Sequence, residues 1–102
     1  GNVYIEYQER MTNAGEWVDS GILKQDQTKY FLIGTVEEFF ILPRERLQNY
    51  YHRLVKCGET IKGMRLVEER AHQTSKGFII QRQRARQDHI SVQEVIDNLK
   101  SQ

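Results

Sequence analysis

The sequence predicts a mixed α+β (α/β) fold, a small mixed sheet with a central β-hairpin flanked by helices. Three stretches carry this. "VYIEY" alternates with period two, Val3, Ile5 and Tyr7 on one face and Tyr4 and Glu6 on the other, and its β-branched and aromatic residues suit a pleated surface. "KYFLIGTVEEFFILP" holds two apolar runs, Tyr30 to Ile33 and Phe39 to Leu42, around Gly34-Thr35-Val36-Glu37, the pattern of a hairpin. "PRERLQNYYHRLVKCG" spaces Leu47, Tyr50 or Tyr51, Leu54 and Val55 as one face of a helix.

The first strand gives way to a turn at Asn13-Ala14-Gly15. Asp19 or Ser20 then suits an N-cap, with Ile22 and Leu23 as the apolar side of a single short turn. Both hairpin runs are almost continuously apolar, which predicts a hairpin covered on both faces. Pro43 cannot donate to a ladder, so it ends the second run and suits the start of the helix, and Gly58 is its natural terminator. Residues 59–77 read as loop with a weak strand at Met64–Val67, and Phe78 to Gln81 as a short strand. "RQRARQDH" reads as charged and irregular. Ser91 and Glu94 make a capping box that opens a last helix, with Val92, Val95, Ile96 and Leu99 as its apolar face.

At 102 residues the chain has the size of one domain, 1–102. Its 38% hydrophobic content and ten aromatic residues supply a modest core, and 28% charged residues supply a water-facing surface. No apolar run approaches the roughly 18 residues of a membrane span. The one cysteine, Cys57, excludes an internal disulfide and fits a reducing, cytoplasmic setting. With three scattered histidines it makes no zinc spacing, and no metal site is predicted. Net charge is +1, but residues 1–50 carry five basic against eight acidic side chains and residues 51–102 ten against six. That asymmetry allows a polyanion-facing second half.

No phosphate loop, nucleophile elbow or Cys/His pair is present. The pairs Glu37-Glu38 and Glu68-Glu69 are sequence neighbours, which point to opposite faces of a strand, so solvated charge is the expectation for both. Glu6, inside an apolar strand, has two readings: a half-exposed edge, or a carboxylate lining a site. Arg82, Arg84 and Arg86 follow Lys76 closely. If the strand continues, the three arginines form a row about 6–7 Å apart, matching phosphates along a nucleic acid. The alternative is a charged edge that blocks strand addition.

"GNVYIEY", then "DSGI", then "FFILP", a helix and "SKGFII" resemble, in this order, a group of small phage and bacterial proteins of the restriction-endonuclease-like PD-(D/E)XK superfamily. The matching residues are Gly1, Asn2, Ile5, Glu6 and Tyr7; Ser20, Gly21 and Ile22; Tyr30; and Lys76, Gly77 and Phe78, so the resemblance spans roughly residues 1–81. It implies the scaffold of a Mg²⁺-dependent DNA phosphodiester hydrolase. The family's metal-binding Asp and Glu-X-Lys come before its Gly-Asn, and Thr28-Lys29-Tyr30 stands where the family has Ala-Asp-Tyr. The expectation is therefore the C-terminal part of a nuclease-like domain, inactive alone, with Mg²⁺ expected only in an intact relative. DNA is the implied partner, and the strand edge at residues 3–7 is open to self-association. The alternative is a non-enzymatic α/β module that binds protein or nucleic acid through its basic second half.

Overall fold

The computed structural model describes residues 2–12, 14–34, 37–67 and 73–101. In chain order the elements are β1 (Val3–Glu9), β2 (Val18–Asp19), a 3-10 turn (Gly21–Leu23), β3 (Tyr30–Gly34), β4 (Phe39–Pro43), α1 (Arg44–Tyr51), a π-helical turn (His52–Lys56), β5 (Met64–Leu66), β6 (Ser75–Ile80), α2 (Arg82–Asp88) and α3 (Val92–Lys100). Helices and strands are mixed as predicted, in a four-stranded sheet of order β2-β1-β6-β5 and a two-stranded sheet, β3-β4.

β1 pairs antiparallel with β6, Val3 opposite Ile80 and Ile5 opposite Phe78, and these four side chains enter the core. Phe78, Ile80 and Ile5 are among the most deeply buried residues, each worth about 1.5–3 kcal/mol relative to exposure. The register shifts between Glu6 and Gln8, so Tyr7 is an extra residue, and its ring packs 4.9 Å from that of Tyr51 on α1. β2 pairs only with Gln8 and Glu9, so along Val3–Glu6 the described strand neighbour of β1 is β6 alone. β6 begins earlier than predicted, at Ser75, and β5 falls within the predicted weak strand.

α1 starts directly after Pro43 and buries Leu47 and Tyr50; Leu54, on the π turn, continues that face. Gly58 follows with φ +66°, the left-handed conformation that ends a helix. The hairpin differs from expectation. Phe40 and Leu42 are buried, but Leu32 is 69% and Phe39 51% exposed. The reason is topological: β3 and β4 form their own sheet, and one face alone meets the core. The hairpin turn residues Thr35 and Val36, and the pair Glu68-Glu69, lie outside the described residues.

The second correction concerns residues 82–88, which form a helix and not an irregular stretch or an extended strand. Arg and Gln are good helix formers, and Ala85, the one small apolar residue, is fully buried against the core. α3 is capped as predicted, Ser91 Oγ accepting from the Glu94 amide at 3.1 Å. Its apolar face is largely uncovered: Val92, Ile96 and Leu99 are exposed. No helix among the described residues is long and apolar enough to cross a membrane.

Candidate nucleic-acid interface

The residues singled out in the sequence fall in two places: the end of the four-stranded sheet, and α2. At the sheet end the chain leaves β1 at Arg10 and returns into β2 just after Trp17. Lys76, on β6, lies opposite Gln8 of β1, and Gln8 lies opposite Asp19 of β2. The topology thus brings Arg10, Trp17 and Lys76 together. The Arg10 guanidinium carbon is 4.3 Å, and the Lys76 ammonium 4.4 Å, from the centroid of the Trp17 ring. Such contacts draw a cation to the ring's negative face. Arg10 is further fixed by donating from Nε to the Gln73 carbonyl at 2.8 Å. All three side chains are partly exposed. The result is an aromatic plane and two cations at one solvent-facing corner.

Glu6 sits nearby on β1, on the face opposite Val3 and Ile5. Its carboxylate accepts from Ser75 Oγ at 2.7 Å and from Ser20 Oγ at 3.0 Å. Since the Ser75 proton is committed to Glu6, Tyr4 donates its hydroxyl to Ser75 Oγ, at 2.7 Å. Ser20 therefore spends its side chain on Glu6 instead of capping the 3-10 turn it precedes. Both carboxylate oxygens are engaged, and Glu6 joins β1, β6 and the 3-10 turn.

A row of three arginines on one strand face does not exist, because a helix separates them. Arg82 and Arg86, four residues apart, share a face, while Arg84 points elsewhere. Arg86 donates to both oxygens of Glu38, Nε to Oε2 at 2.9 Å and Nη2 to Oε1 at 3.0 Å, and Arg82 lies 3.2 Å from the same carboxylate. Glu38 is thus held by α2 and not merely solvated. The hydrogen bonds from Arg86, then the charges of Arg86 and Arg82, hold its carboxyl below the ordinary range.

Arg84 turns toward α1. Its guanidinium lies 5.6 Å from the Tyr50 ring centroid and donates to the Tyr50 hydroxyl at 3.3 Å. Asp88 is 3.7 Å from its Nε, which is buried and makes no hydrogen bond. Asp88 is shared: Tyr50 donates to its Oδ2 at 2.6 Å, and Arg46 stands 3.7 Å from its Oδ1. Burial first, and this bond to Asp88 second, push the Tyr50 phenol up.

Sequence reasoning missed three features. Trp17 and Arg10 lie on either side of the predicted turn, and that symmetry was the one available signal. Arg44, following Pro43, is nearly buried and organises residues 22–28 by donating to the carbonyls of Ile22, Lys24, Asp26 and Thr28 and to the Asp26 carboxylate. The Glu38 clamp depends on α2 being a helix. No group of three His, Cys, Asp or Glu side chains among the described residues could hold a metal ion, and Glu6 is taken by its serines. Comparison with protein-family models, with curated proteins and with solved structures finds no match.

Proposed function

We propose that this chain is a nuclease-like module that binds DNA and does not cleave it alone, acting in the cytoplasm. The observation that carries the reading is the Trp17 ring with Arg10 and Lys76 against it. A base can stack on the Trp17 ring, at about 1–3 kcal/mol, by taking the place of one of the cations against it, which is then released to the backbone phosphates. The PD-(D/E)XK resemblance supports the same partner, since Lys76 and Gly77 belong to its late strand. In that family a metal-binding Asp and a Glu-X-Lys carry cleavage, and our reading assigns this chain binding alone. Arg82 and Arg86 contribute less than their charge suggests, because Glu38 offsets them.

Electrophoretic mobility of labelled DNA tests this. The expected result is a shift at low salt that weakens as salt rises, is lost on Arg10→Gln with Lys76→Gln, and comes with no Mg²⁺-dependent cutting. Absence of a shift at low salt overturns the binding reading, and cutting overturns the claim about catalysis. A second reading, a non-enzymatic module that binds protein, is favoured by the uncovered face of α3 at Val92, Ile96 and Leu99. It would leave DNA mobility unchanged.

A further inference from the structure

At the far end of β6 from Lys76, a cavity of about 320 Å³ opens between the loop before β5 and α2, lined by Lys62, Gly63, Gln81, Gln83, Arg84 and Gln87. Beside it the Gln81 amide donates to the Gly63 carbonyl at 2.8 Å, and a Cβ on Gly63 would lie 3.4 Å from Cβ of Arg84. Two cations and three primary amides line it, and no carboxylate does. Among the described residues, the side chains of Lys62, Gln81, Gln83 and Gln87 make no hydrogen bond or ion pair. Arg84 is only partly spent: it has one bond of 3.3 Å to Tyr50, and Asp88 is beyond hydrogen-bond distance and shared with Tyr50 and Arg46.

We propose that this cavity is a phosphate-binding subsite for a nucleotide phosphate of the bound strand, a claim that rests on the DNA reading above. Lys62 supplies a mobile point charge and Arg84 a planar donor, the two side chains suited to phosphate. The glutamine amides add donors around the phosphate oxygens, and the volume leaves room for an attached sugar. Arg84 is then the member of the arginine group that contacts the ligand. Arg82 and Arg86 hold α2 to Glu38 instead.

The test is a ¹H–¹⁵N NMR titration of the intact chain, with inorganic phosphate and then with a 5′-phosphorylated trinucleotide, while Trp17 fluorescence is read in parallel. Shifts are expected at the Gly63 amide and the side-chain amides of Gln81, Gln83 and Gln87, with none from matched chloride. Lys62→Gln should abolish them and lower the salt slope of DNA binding by about 1, while Lys100→Gln, on α3, should leave the Gly63 shifts intact. Silence at Gly63 and the glutamines with a responding Trp17 overturns the subsite and leaves the DNA reading standing. Shifts at Gly63 with a silent Trp17 support the subsite and overturn the sheet-end reading. Silence at both overturns both.

Discussion

Tyr4 lays its ring over Gly77. A Cβ at position 77 would stand 2.5 Å from Cζ of that ring and 2.4 Å from the Ile5 carbonyl oxygen. No real side chain tolerates such approaches, so β1 and β6 are in contact here because residue 77 has none. Gly77→Ala is expected to destabilise the fold by about 2 kcal/mol through overpacking, read as a lower urea midpoint with unchanged m-value. Adding Tyr4→Ala should recover part of the loss and not all of it, because the Ile5 carbonyl remains.

Glu6 gives a prediction that separates its two readings. Removing the carboxylate leaves the hydroxyl of Ser20, itself 3% exposed, without its acceptor. Glu6→Ala should cost about 1–3 kcal/mol in chemical denaturation, and Glu6→Gln less, since an amide oxygen still accepts from one serine. If Glu6 is a linker of strands, DNA affinity measured well below the unfolding midpoint stays as in the parent. A large loss of affinity in folded Glu6→Gln would instead give Glu6 a direct role at the site.

The Glu38 clamp predicts a pH dependence. Arg86 and Arg82 hold the Glu38 carboxyl low, so the folded state takes up its proton less readily than the unfolded chain. The resulting stability is fully present above the unfolded-state value and disappears as pH falls through the lower folded-state value. Thermal melts of the parent and Glu38→Gln should therefore differ most near neutral pH and converge in acid. A gap that is constant with pH would contradict the clamp.

Core and surface leucines should separate sharply. Leu47→Ala, at a fully buried position, is expected to cost about 2–5 kcal/mol. Leu99→Ala, at a 54% exposed position on α3, should change stability by no more than about 0.5 kcal/mol. Equal losses would mean that the α3 face is covered in solution.

These residues also show where the sequence was legible. Alternation at Val3, Ile5 and Tyr7, the Pro43 boundary, the spacing of Leu47 and Leu54, and the Ser91 cap are local signals, and each reports its element directly. In the hairpin runs continuous apolar character predicts burial on two faces, whereas only Phe40 and Leu42 are deeply buried. Alternation of the arginines matches a strand's period, but the intrinsic propensity of Arg, Gln and Ala favours the helix that forms. The sheet-end cluster was the least legible. Charge marks Lys76 and its place in an apolar strand marks Glu6, but the contact of Arg10 and Lys76 with Trp17 arises from pairing across β2, β1 and β6. No single window of sequence contains it.

Trp17 is the only tryptophan, so its emission reports the proposed interface without a label. The most direct measurement is a titration of the folded chain with a short single-stranded DNA at low salt, followed by Trp17 fluorescence, repeated with rising salt and with Lys76→Gln. A stacked base should quench the emission saturably, and both salt and the substitution should weaken the response. Emission that stays unchanged through the titration, while the chain remains folded, would contradict a DNA interface at the sheet end.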